Sequence, residues 1–116
     1  MASRSARDID VQRILGLYRL MPGTTGHTRR SDRLLASSLY DRGIPLRIVS
    51  AALLLAAARR IFRSGDPLSP VATLHYIGPI IEELLAQPPD PDYIDYLCRK
   101  LAPVAPDFAA AAHQLS

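Results

Sequence analysis

Residues 45–63 read PLRIVSAALLLAAARRIFR, and this stretch decides the fold. From Ile48 to Ala58 every residue except Ser50 is apolar, and Arg47 and Arg59 bound the run. Alanine and leucine are strong helix formers, and Pro45 suits a first helical turn because the N–H it lacks has no partner there. The run falls short of the roughly 20 residues that a membrane-spanning helix needs. A shorter helix that is apolar on most of its circumference belongs in the middle of a bundle. The stretch therefore predicts an all-α fold, a compact bundle of about five helices around an apolar central helix at about 45–63.

On the N-terminal side, Val11, Ile14, Leu15 and Tyr18 repeat with helical spacing, which predicts helix one from about Asp8 to Leu20, capped by Asp8 or Asp10 and stopped by Pro22 and Gly23. The segment GTTGHTRR, Gly23 to Arg30, has no periodicity and predicts an exposed loop. Helix two, capped by Ser31 or Thr28, carries Leu35, Leu39 and Tyr40 and ends where Gly43 can turn left-handed.

On the C-terminal side, Ser69 and Pro70 form a cap and first-turn pair for helix four, which extends to about Gln87 and is kinked or divided at Pro79. Asp90 and Pro91 open helix five, with Ile94, Leu97 and Leu101 on its buried face. The expectation is a single helical domain over residues 1–103, followed by a loosely attached tail at 104–116 that forms one or two turns.

The chain has 116 residues, 48% hydrophobic and 22% charged, a composition suited to one folded core and unlike that of disordered chains. The opening MASRSARDID is basic but has no apolar stretch, and Asp8 and Asp10 are foreign to a transit peptide, so no targeting signal is expected. A single cysteine, Cys98, points to a reducing cytoplasm. Thirteen Arg against one Lys, with many Ala and Pro, suggest a GC-rich bacterial genome. The net charge of +3 hides an asymmetry: residues 1–63 carry twelve Arg against four Asp, a balance of +8, whereas residues 64–116 carry two bases against seven acids, a balance of −5. A basic first half is expected to meet a polyanion, or to attract the acidic half within or between chains.

Candidate functional residues follow from that asymmetry. Arg29, Arg30, Arg33 and Arg42 stand beside Thr24, Thr25, Thr28 and Ser31, so guanidinium forks, hydroxyls and helix-start N–H groups converge on what a phosphate requires. Arg59, Arg60 and Arg63 extend this stripe if helix three ends on the same side, although cations in a last helical turn also serve the helix dipole. Arg47 completes the set. The spacing is not that of a nucleotide-binding P-loop. Residues 35–54 admit a helix-turn-helix, but its early exposed positions, Leu46, Arg47, Ser50 and Ala51, offer only one strong donor to base edges, so contacts to the sugar-phosphate backbone are expected rather than sequence reading.

No His or Cys pair has metal-ligand spacing, and neither a metal nor another cofactor is expected. His75 with Glu82 and Glu83 reads as structural rather than acid/base, Cys98 as core rather than nucleophile, and Asp90, Asp92 and Asp95 as compensation of a helix dipole. The tyrosines Tyr18, Tyr40, Tyr76, Tyr93 and Tyr96 are expected to pack in the bundle with hydroxyls at the rim, ahead of stacking on single-stranded bases.

The arrangement RGIPLRIVSAALLLAAARRIF, a Pro-containing gap, and then LHYIGPIIEELL resembles the helical domain of DnaD-like primosomal and plasmid replication proteins, over less than half the chain. The matching positions are Tyr76, Ile77, Ile80 and Ile81. The resemblance implies DNA binding or partner recruitment in replication or element mobility. Together these readings favour a non-catalytic, nucleic-acid-associated accessory protein, DNA being the expected ligand. The alternative is a helical protein-interaction module or homo-oligomer subunit that binds no nucleic acid. No membrane association is expected.

Overall fold

Helix α1 (Ala6–Leu20) begins where the Ser5 hydroxyl accepts the backbone N–H of Asp8 at 3.1 Å, so the cap lies ahead of the two aspartates expected to provide it. The computed structural model describes residues 5–116; Met1 to Arg4, including one arginine of the basic half, lie outside the described residues. Val11, Ile14, Leu15, Leu17 and Tyr18 form the buried face of α1. After the 22–29 loop, α2 (Arg30–Asp41) returns antiparallel to it: Arg7 at the start of α1 pairs with Asp41 at 3.0 Å, and Arg19 at its end donates to Thr28 Oγ1 at 3.3 Å. Arg29, not Ser31 or Thr28, occupies the N-cap position of α2, and its N–H is taken by the Asp32 carboxylate reaching back at 2.8 Å.

Helix α2 ends in a Schellman motif. Gly43, at φ +72°, directs its N–H to the Tyr40 carbonyl, while the Ile44 N–H reaches the Leu39 carbonyl. Pro45 then stands just before α3 (Leu46–Ile61) rather than inside it. Every residue from Ile48 to Ala58 in α3 is buried, and Ser50, the one polar member, donates to the Ala112 carbonyl at 3.0 Å. Small side chains let neighbouring helices approach closely, and α3 packs against α1, α4, α5 and α6.

The chain departs most from expectation after α3. Ser69 and Pro70 start no helix. Residues 66–72 cross the surface without helical structure, and Val71 forms an isolated parallel bridge with Thr24, donating to the Gly23 carbonyl at 2.7 Å and accepting from the Thr25 N–H at 3.1 Å. The cap falls instead on Thr73, whose hydroxyl accepts the His75 N–H ahead of a 3-10 turn, Leu74–Ile77. Gly78 and Pro79 open α4 (Gly78–Ala86), so the interrupted segment divides into a short turn and a helix. Asp90 caps α5 (Pro91–Leu101), accepting the Asp92 N–H at 2.8 Å.

The structure has six α-helices among the described residues, where the sequence led us to expect about five. The additional one is α6 (Pro106–Leu115), in the segment expected to be a loose tail. Phe108, Ala109 and Ala112 are buried, and α6 packs against α1, α3 and α5. Among the described residues no helix is long and apolar enough to cross a membrane.

Candidate nucleic-acid interface

The eight arginines singled out in the sequence fall into four environments. Arg29, Arg30 and Arg33 lie together at the loop end of the α1–α2 hairpin, exposed, and none enters an ion pair among the described residues. Arg30 and Arg33, three apart, share one flank of α2. Arg19 joins them from the end of α1 through its contact with Thr28, a residue of the same loop. The N-terminus of α2, with its positive dipole end, lies within this group.

The Asp32 carboxylate fixes that end of the molecule. It is fully buried, with Oδ2 accepting the Arg29 N–H while Oδ1 accepts the Leu74 N–H and the Thr73 hydroxyl, each at 2.9 Å. Burial pushes its pKa up, but the Arg29 and Leu74 N–H groups, the Thr73 hydroxyl and nearby His75 outweigh that and hold it below the ordinary carboxylate value. Asp32 thus ties the start of α2 to the 3-10 turn and faces away from the arginines' solvent side. Tyr18 adds a second tie, its buried hydroxyl donating to the Val71 carbonyl at 3.4 Å.

Arg60 and Arg63 serve the loop after α3. Arg60 donates to the Ser69 carbonyl at 2.7 Å, lies 5.6 Å from the centroid of the Tyr76 ring, and passes so close to Gly23 that a Cβ there would sit 3.1 Å from its Nε. Gly23 also has φ +87°, so a larger residue is disfavoured twice. Arg63 donates to the Asp66 carbonyl within its own turn.

Arg42 and Arg59 meet carboxylates of the acidic half. Arg42 pairs with Glu82 at 2.9 Å, and Arg59 grips Glu83 with two N–H donors at 3.2 and 2.7 Å. The hydrogen bond from Arg59 holds the Glu83 carboxyl below its ordinary pKa, and the same bond raises that of Arg59. Both glutamates weighed with His75 in the sequence are therefore engaged by arginine. Arg47 stands at the opposite end of α3 from Arg59 and Arg60, roughly 20 Å away at the rise of an α-helix. It lines a cleft of about 260 Å³ with Pro89, Pro91, Ile94, Asp95 and His113, smaller than an ordinary small-molecule site. The structure thus brings together Arg29, Arg30 and Arg33, sets Arg60 across the loop from them, and leaves Arg42, Arg47, Arg59 and Arg63 elsewhere.

A helix-turn-helix readout by residues 35–54 does not fit this packing, because Ser50 and Ala51, expected to be exposed at the front of α3, are buried. Helix α2 packs instead on α1 and the 3-10 turn. Cys98 is buried, and that burial, with Asp95, pushes its thiol pKa up, against nucleophilic use. Of the tyrosines, Tyr18 is buried in the core, whereas Tyr76, Tyr93 and Tyr96 are exposed rather than packed at the rim.

Two participants escaped the sequence reading. Asp32 had a signal, since an acid three residues past a helix N-cap commonly returns to the cap N–H. Arg19 had none beyond its place beside the loop. Comparison with protein-family models, curated proteins and solved structures yields no match.

Proposed function

We propose that the protein is a non-catalytic accessory factor that holds nucleic-acid phosphates, those of DNA first, at the loop end of the α1–α2 hairpin. The observation that carries this reading is the group Arg19, Arg29, Arg30 and Arg33: four arginines stand at that end with no carboxylate partner among the described residues, while Arg7, Arg42 and Arg59 are paired. Guanidinium forks match phosphate oxygens in pairs, and the N–H groups opening α2 add neutral donors beside them. Contacts of this kind position a duplex or single strand without reading its sequence. Arg60, Arg63, Arg42, Arg47 and Arg59 are secondary in this reading, because each already serves another contact or stands apart.

The DnaD-like arrangement around Tyr76, Ile77, Ile80 and Ile81 supports a setting in replication or element mobility, with α3 as the apolar centre of the bundle and a bacterial cytoplasm as the location. The test is fluorescence anisotropy with labelled single- and double-stranded DNA at low and moderate salt. Binding should fall steeply with salt, by close to one power of salt concentration for each phosphate held. Absence of binding at low salt ends the proposal.

A further inference from the structure

The outer face of α5 has features that phosphate binding does not use. Tyr93 and Tyr96 are 43% and 46% exposed, their rings stacked with centroids 6.1 Å apart, and Phe62 at the end of α3 is 44% exposed beside them. Lys100 Nζ bridges the set, 4.3 Å from the Phe62 centroid and 5.7 Å from that of Tyr96. Since α5 buries Ile94, Leu97, Cys98 and Leu101, helical geometry puts Asp92, Tyr96 and Arg99 in one stripe on the opposite, solvent side. Charge along that stripe is polar: Asp92 lies in the first turn and Arg99 with Lys100 in the last, and none of the three forms an ion pair among the described residues. Dipole compensation accounts for which end each charge occupies. It does not account for three large rings left in water between them.

We propose that this face binds a second copy of the chain, with the two α5 helices antiparallel and Tyr96 close to the two-fold axis. A two-fold contact must be complementary to itself. The stripe meets that condition, because turning it end for end about Tyr96 brings Asp92 of each copy to Arg99 and Lys100 of the other while the rings meet across the axis. A polyanion fits poorly, since Asp90 and Asp92, without ion pairs among the described residues, border the Tyr93 end of the same face, where Glu83 is already held by Arg59. The inference is independent of phosphate binding at the hairpin.

Sedimentation of the full chain from about 1 µM to about 500 µM, without nucleic acid, should show a monomer–dimer equilibrium that weakens with added salt. Asp92→Arg and Arg99→Asp should each weaken self-association at least about tenfold, because each sets like charges together twice across the axis. An equimolar mixture of the two variants pairs opposite charges again and should recover dimer to within about threefold of the unmodified chain. That recovery also demonstrates that both variants fold. A chain that stays monomeric throughout, single variants that dimerise like the parent, or a mixture that fails to recover would each overturn the proposal.

Discussion

The loop end of the α1–α2 hairpin and the flank formed by α2, α3 and α4 begin with the same material, closely spaced arginines, and reach opposite electrostatic states. At the hairpin end the one acid within the arginine group, Asp32, is turned inward and consumed by two N–H groups and a hydroxyl, so the guanidiniums remain available. On the flank, Glu82 and Glu83 sit on successive positions of α4 and each takes an arginine from a different segment, Arg42 just past the end of α2 and Arg59 of α3. The lesson is that a basic run stays an unpaired basic surface or becomes a set of internal ties according to where the acids of distant segments fold. Two of the acids behind the −5 balance of the second half neutralise arginines of the first half inside a single molecule.

The contrast is broken most severely by removing Asp32. Asp32→Ala leaves the Leu74 N–H and Thr73 hydroxyl without their acceptor and should cost about 3 kcal/mol, a fall in melting temperature of roughly 10 °C, measured by circular dichroism. DNA binding should weaken with it, since the start of α2 loses its tie to the 3-10 turn. Next in size, Arg30→Glu with Arg33→Glu should reduce oligonucleotide affinity at low salt by at least about tenfold and flatten the salt dependence by about two powers, with melting almost unchanged. Arg42→Ala sharpens the comparison from the other side: affinity should hold, and stability should fall by no more than about 1 kcal/mol, as for other exposed ion pairs.

The smallest expected effect is a pH profile. Because the folded pKa of Asp32 lies below its unfolded value, its carboxylate contributes stability that is fully present above the unfolded pKa and is lost as pH falls through the folded one. Melting temperature should therefore be level above about pH 5 and decline in acid, and Asp32→Asn should make the acid decline shallower. An unchanged acid limb in that variant would assign the decline to other carboxylates.

Much of the helical order was legible because its signals are local. The apolar run of α3, the left-handed Gly43 and the Asp90–Pro91 start each act within a turn or two. Ser69–Pro70 had the same local form and no helix, because residues near Val71 are held by Gly23, Thr25 and Tyr18, the last 53 positions away. Helix α6 has a weak local signal for another reason. Its contacts rest on Phe108, Ala109 and Ala112, and small side chains packing closely give little periodic signal. The site divides in the same way: Arg29, Arg30 and Arg33 could be grouped from adjacency, whereas the pairing of Arg59 with Glu83 and of Arg42 with Glu82 spans 24 and 40 residues and leaves no trace in spacing.

Helix α3 carries a consequence for how this protein can vary. Ala51, Ala52, Ala56 and Ala57 have essentially no free surface, so an added methylene at any of them must displace a neighbouring helix. The buried stretch of α3 offers almost no surface to a ligand, so any recognition would fall to the ends of α3, the outer helices and the loops. Substitutions at exposed positions of those outer parts should leave the packing of this core stretch intact, provided its side chains stay small.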